Sequence, residues 1–321
     1  MTRATLDQAG VRGSDRVLVA LNNDGELGGA FIARAAAGIA QAAASVGPRG
    51  RMRLMQALRT LRADVLVTTP TGLADLLARL HLEFLADPLD LELRLILVTG
   101  EITDHRTLRH LANEFDAEVV ELYTDPVTGV PVATRATKSA DDPLRATRDG
   151  LLSLAELDAD QPVGAAPACP FAELVVTHSW HGLLNGFAVR TGHVVPSPAS
   201  EGVGLPAPRH TVGDFVLVRG RWLPIGRFEQ NLRLIDGISR WRLEVARKGT
   251  LDTATLHIAF ARDSLVGNRM WHGRIAQAVS ALTPVDVTVR VQDGVAEEPR
   301  PPVIDDQRGH HLARDRKAVG R

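Results

Sequence analysis

Short apolar runs and helix-period segments take turns along the first 125 residues. The runs Arg16–Leu21, Val65–Thr68, Leu93–Val98 and Glu118–Leu122 are brief and mostly apolar, and are predicted as strands. Between them, Gly28–Ala44 is predicted as one long alanine-rich helix. Arg51–Arg62 is a second helix, with Leu54, Leu58 and Leu61 on one face. Gly72–Leu80 is a third. A fourth is capped by Thr103 or Asp104 and runs to about Phe115. Apolar strands separated by helices predict a parallel-rich sheet covered on both faces.

After Tyr123 the pattern changes to short β runs, among them Glu173–Thr177, Phe187–Arg190 and Phe215–Val218. The polar stretch Thr137–Gly150 and the Pro/Ala-rich stretch Asp158–Pro170 read as loops. From Arg227 a third pattern begins. Leu256–Ala261 and Val285–Val291 alternate as strands around a helix, Asn268–Leu282, with Ile275, Val279 and Leu282 on one face. The expected fold class is therefore α/β: a parallel-rich layered sheet subdomain at 1–125, a β-rich subdomain at 126–226 and a small α+β lid domain at 227–296. A charged, mobile tail is expected at 297–321.

The chain has 321 residues, 45% of them hydrophobic and 23% charged, which suits a globular protein with a sizeable core. Its formal net charge of −1 argues against nucleic-acid binding through bulk charge. A lone cysteine, Cys169, excludes an internal disulfide framework and a Cys-rich zinc fold. The longest uncharged run, Leu174–Val189, is too short to span a bilayer, and no apolar leader follows Met1. A cytoplasmic protein without membrane or nucleic-acid partners is expected.

Several short motifs stand in a recognisable order. They are Ala9-Gly10-Val11-Arg12-Gly13-Ser14-Asp15-Arg16-Val17, Gly28-Gly29, Thr68-Thr69-Pro70, Gly100-Glu101 and Glu121-Leu122-Tyr123. Glu173–Thr177, Val189-Arg190-Thr191-Gly192, Gly226-Arg227, Gly249-Thr250-Leu251-Asp252 and Val303-Ile304-Asp305 follow. Together they resemble the phenylacetate–CoA ligase family, a branch of the adenylate-forming acyl-activating superfamily, over nearly the whole chain. The resemblance implies an AMP-forming acid–thiol or acid–amine ligase, with ATP or AMP, Mg²⁺ and CoA as cofactors.

The departures from that pattern are as informative. The family's Ser/Thr/Gly-rich phosphate loop precedes the Ala-Gly-Val-Arg entry, and the eight residues before Ala9 contain no glycine. The family's Mg²⁺-holding Glu falls at Val127, with Asp125 displaced from it by two residues. The Asp that grips the ribose hydroxyls falls at His193, and imidazole cannot accept two such bonds at once. The hinge continues from Gly226-Arg227 into Phe228-Glu229-Gln230-Asn231. Pro299-Arg300-Pro301-Pro302 occupies the place of the lid lysine. The aromatic acid-pocket segment reads Asn22-Asn23-Asp24-Gly25-Glu26-Leu27, whose carboxylates suit an amine-bearing ligand better than an aryl acid.

The resulting expectation is an N-terminally truncated relative with degenerate motifs. It would bind an acyl, aryl or amine-bearing metabolite without independent adenylation, and could dock on a complete ligase or another protein. One alternative is an active AMP-forming acyl- or aryl-acid ligase whose phosphate loop lies upstream or on another chain. A second is a repurposed enzyme built on His178, His181 and His193. The expected ligand-binding residues are Asp24, Glu26, Gly100, Glu101, Tyr123, Arg190, His193 and Arg227. Glu101 reads equally as a helix cap, and Arg190 and Arg227 as structural ion-pair partners. No metal site is expected. Protonated His193 paired with an acidic wall would make binding change as pH rises above about 6.5.

Overall fold

The computed structural model describes residues 1–22, 28–47, 50–159, 170–197, 204–283 and 285–319. Two compact units divide between Arg209 and His210. The architecture is mixed α/β, a parallel-rich sheet with additional β sheets, and no described helix is long and apolar enough to cross a membrane.

The first unit opens with α1 (Thr2–Gln8), β1 (Arg16–Val19), α2 (Gly29–Ala36), β2 (Ala42–Ser45), α3 (Arg51–Leu61), β3 (Val65–Thr68) and α4 (Pro70–Arg79). It continues through β4 (Leu95–Thr99), α5 (His105–Phe115), β5 (Glu118–Thr124), β6 (Pro131–Ala136) and β7 (Arg145–Ala146). The seven strands form one sheet in the order β2-β1-β3-β4-β5-β6-β7, parallel from β2 to β5 and antiparallel thereafter. Side-chain alternation divides the central strands between two cores. Leu18, Leu66, Ile96 and Val98 pack with Met55, Leu73 and Leu108 of α3, α4 and α5. Val17, Val19, Val65, Val67, Leu95 and Leu97 pack on the other face with Leu6 and Ile32 of α1 and α2. Burial on both faces is why these strands read as unbroken apolar runs. Asp104 caps α5 by accepting the Thr107 N–H at 2.8 Å.

The long helix expected over Gly28–Ala44 ends at Ala36, and its alanine tail becomes β2, paired in parallel with β1. Alanine is the best helix former, but intrinsic propensity is a weak determinant, and pairing with the free edge of β1 overrides it. Gly28 precedes α2 with φ +59°, and a Cβ there would overlap the carbonyl oxygen of Gly129 in the turn between β5 and β6. The Gly28→Ala variant is therefore expected to lose about 1–3 kcal/mol, read as a lowered thermal midpoint, because both backbone strain and collision oppose the side chain. An unchanged midpoint would refute this close approach.

The sheet runs past the expected limit at 125, through β6 and β7. The first unit then adds β8 (Leu152–Ala155), β9 (Phe171–Thr177) and β10 (Ala188–Pro196), an antiparallel layer. Tyr123, Val132, Leu154, Leu174, Val176 and Val195 form a shared core.

The second unit contains β11 (His210–Thr211), β12 (Phe215–Val218), β13 (Arg221–Pro224), α6 (Ile225–Arg233), β14 (Ile238–Lys248) and β15 (Leu251–Phe260). After these come α7 (Asp263–Val266), α8 (Arg269–Ser280), β16 (Val287–Val291) and β17 (Val303–Asp306). The hairpin β14–β15 is flanked by parallel β16 and β17. Val216, Val218 and Leu223 of the β12–β13 hairpin share this unit's core with Phe228, Trp241, Leu256, Ile275 and Val279. The segment expected as a mobile tail thus supplies β17, whose Ile304 packs against that core. Its charges are drawn inward: Arg308 is an ion-pair partner of both Asp252 and Asp306.

Candidate functional site

Asp24, Glu26 and Cys169 lie outside the described residues. Gly100 and Glu101 follow β4, Gly100 with φ +84°. The buried Glu101 carboxylate accepts the Thr71 N–H at 2.9 Å and its hydroxyl at 2.6 Å. Glu101 thus holds the first turn of α4, while Asp104 serves α5. Arg227 stands exposed on α6, in the second unit, where its carbonyl accepts the Asn231 amide at 2.9 Å.

Tyr123, Arg190 and His193 come together around the ends of β5, β9 and β10. Between Arg190 and Val194 the β10 register shifts, a bulge in which Gly192 takes φ +77°. Such a bulge re-aims its side chains. Here it accompanies a buried His193, whose Nδ1 lies 3.2 Å from the Tyr123 hydroxyl, with the rings edge-on at 5.4 Å. Burial pushes the His193 pKa down to about 4, against the opposing pull of Glu173 and Asp125. Burial also raises Tyr123 far above the ordinary phenol value, with Asp125 and Glu173 adding to the effect against a Thr191 hydrogen bond. At neutral pH both are uncharged. The contact is compatible with either neutral tautomer, the phenol donating to Nδ1 or Nδ1–H donating to the phenol oxygen. His193 is therefore not the protonated partner expected near pH 6.5; burial moves its titration into the acid range.

A histidine–carboxylate hydrogen bond and an arginine–carboxylate ion pair flank this couple. Asp125 Oδ2 meets His178 Nε2 at 2.9 Å, both side chains fully buried. The same oxygen accepts the Thr128 hydroxyl at 2.6 Å and its N–H at 3.1 Å. His178 Nδ1 lies 3.4 Å from the Phe187 carbonyl. Glu173, fully buried, receives Arg190 Nη1 at 2.8 Å and the Gly192 N–H at 2.8 Å. Arg190 Nη2 reaches the carbonyls of Glu156, at 2.7 Å, and Ala159. The guanidinium is thus engaged in fixing the bulge.

The sequence flagged His178, His181 and His193 as one set. The structure instead ties His178 to Asp125 and His193 to Tyr123, while His181 Nδ1 accepts the Leu184 N–H at 3.2 Å. The His178–Asp125 dyad has the partners of a catalytic base, but its complete burial denies it a substrate. Sequence reasoning missed Glu173 as a site residue and the Asp125–His178 pairing. The partners are 53 positions apart, so no local spacing signals them. Among the described residues, no group of three or more His, Cys, Asp or Glu can hold a metal ion.

A small cavity of about 60 Å³ lies beside Ala20 and Thr68, at the C-terminal ends of β1 and β3. Its lining includes Gly50, Gly72 and Phe84, and Arg79, which forks onto Asp75 at 2.6 and 2.8 Å. Among the described residues, none of the expected ligand-binding residues lines it.

The α/β layer, the antiparallel layer and the small α+β unit define the class: the chain has the adenylate-forming enzyme fold, shared by acyl-CoA ligases and adenylation domains. One similar structure is that of 2-hydroxyisobutyryl-CoA ligase in complex with 2-HIB-AMP and CoA. It has a TM-score of 0.76 and 16% identity, over 95% of this chain and 69% of that one. Another is o-succinylbenzoate CoA synthetase from Bacillus subtilis, with a TM-score of 0.64 and 14% identity, over 97% of this chain and 62% of that one. A non-ribosomal peptide synthetase protein containing adenylation and PCP domains has a TM-score of 0.63 and 17% identity, over 91% of this chain and 61% of that one. At these identities the likeness is one of fold. In sequence, no family model and no curated protein matches the chain.

Proposed function

We propose that this chain is a phenylacetate–CoA ligase-like protein that binds an acyl, aryl or amine-bearing metabolite without carrying out ATP-dependent adenylation by itself. The carrying observation is the buried Tyr123–His193 couple. At the position where the resemblance implies a ribose-gripping carboxylate stands a neutral imidazole. Its Nδ1 is bound to a phenol, so at most Nε2 is left for a ribose, and one ring nitrogen cannot accept from two hydroxyls as a carboxylate can. At the implied Mg²⁺ position stands Val127, 52% exposed, and the nearby Asp125 is fully buried between Thr128 and His178. These residues do not fit an adenylate's ribose or its magnesium ion. The fold of the similar ligases supports a small acyl ligand as the molecule bound.

With ATP, Mg²⁺ and phenylacetate or a panel of aryl acids, the purified chain is expected to release pyrophosphate only at background. Each missing charge-stabilising contact is worth about 2.7–4 kcal/mol, so two together cost about four to six orders of magnitude in rate. Robust release that disappears in Tyr123→Ala would overturn the reading and make the chain an active ligase.

A further inference from the structure

We propose that the second unit carries a binding site of its own for a small amphipathic carboxylate, an apolar or aryl body bearing one acid group. The site is a cavity of about 460 Å³ framed by α6, the start of β14 and the segment 299–302. That volume lies in the range of small-molecule pockets. Its described lining residues all belong to the second unit, so the proposal stands or falls apart from the reading of Tyr123 and His193.

About half of the lining surface is apolar. Leu232 and Trp241 are buried core residues whose edges reach the cavity, with Ile238 beside them. Pro299, Pro301 and Pro302 form the opposite wall. Prolines carry no N–H, so this wall offers a ligand surface without backbone donors. An aromatic floor facing proline rings favours a flat or aliphatic body.

The polar groups set the sign of the charge. Glu229 is the acid in the lining, and both its oxygens are engaged: Oε1 with Arg233 Nη2 at 2.5 Å and Oε2 with Arg314 Nη1 at 2.9 Å. Arg314 also reaches Asp214 at 2.5 Å. Glu297 and Glu298 precede the segment but do not line the cavity. Arg300 differs from Arg233 and Arg314. Its backbone N–H is anchored on the Ser239 carbonyl at 3.4 Å, while its exposed guanidinium has no carboxylate partner among the described residues. A cation would meet an uncompensated positive rim, and a bare inorganic anion would leave the apolar floor unused. A carboxylate on an apolar body answers both, because a guanidinium binds a carboxylate through two parallel hydrogen bonds.

The full chain labelled with fluorotryptophan provides the test, with the Trp241 fluorine resonance assigned through Trp241→Phe. Titration with naphthylacetate should move that resonance saturably. The neutral naphthylacetamide should bind at least fivefold more weakly, and acetate should leave Trp241 unmoved. Arg300→Gln, a change at an exposed side chain, should weaken naphthylacetate about tenfold, the loss of one charge-assisted contact, and leave the amide unaffected. An unmoved Trp241 resonance would overturn the site. Equal affinity for acid and amide, or an Arg300→Gln variant that binds naphthylacetate like the parent, would overturn the role of the charge.

Discussion

Replacing Arg308 with methionine is expected to destabilise the second unit by about 3–5 kcal/mol, because it strands two buried carboxylates. The Arg308 side chain is 5% exposed, against 3% for Asp252 and 1% for Asp306. Nη1 meets Asp252 at 2.5 Å, while Nε and Nη2 fork onto Asp306 at 2.8 Å each. Nη2 also donates to the Leu217 carbonyl at 2.8 Å. One guanidinium thus joins β12, the start of β15 and the end of β17. Burial works against ionisation of Asp252, but Arg247 and Arg308 outweigh it and hold its pKa below the usual carboxylate range. Arg308, with its own and the His311 backbone N–H groups, does the same for Asp306. The stabilisation is present above the ordinary carboxylate pKa near 4 and is lost as pH falls through the lowered values. Urea unfolding followed through Trp222, Trp241 and Trp271 would read the loss. Arg308→Lys should fall between wild type and Arg308→Met, since an ammonium cannot fork onto two acids. A methionine variant as stable as wild type would show that the network contributes nothing.

That network lies partly in a segment whose composition reads as a tail, and the reason marks the limit of sequence reading. Charge and proline content speak for solvation, but Asp306 and Arg308 are tolerated inside because each supplies the other's hydrogen bonds. That complementarity is tertiary. The central strands were legible because burial on both faces writes an apolar run directly into Val65–Thr68 and Leu95–Thr99. The alanines at 42–44 were not, because their pairing is decided by the edge of β1 rather than by their own periodicity. At the candidate site, Tyr123, Arg190 and His193 were legible as candidates through ordered motifs. The carboxylates that accompany them were not, since Glu173 and Asp125 acquire their meaning from a bulge in β10 and from a histidine far along the chain.

The Tyr123–His193 couple should make the first unit acid-sensitive in a window set by burial. In the unfolded chain a histidine titrates near 6.5, whereas the folded His193 resists protonation down to about 4. Between those values the unfolded state binds more protons, so stability rises with pH across the window and is level above it. The full difference is about 3 kcal/mol, most of it lost by pH 4.5. Asp125 and Glu173 pull the other way, but each is already engaged, by His178 and by Arg190, and burial prevails. Amide hydrogen exchange of peptides from β5, β9 and β10 would isolate this unit's response from that of the second unit. There His310 and His311 are likewise pushed down by burial. The wild-type protein should lose protection steadily from pH 6.5 to 4.5. His193→Phe should be less stable at pH 7, where it removes one of the buried Tyr123 hydroxyl's two side-chain partners, by about 1 kcal/mol. Its protection should then change little across the same pH interval. Parallel pH slopes in wild type and variant would mean that His193 is not held neutral by burial. The imidazole would then be free to take a proton near neutrality, and the argument against a ribose at this position would have to be rebuilt on a charged His193.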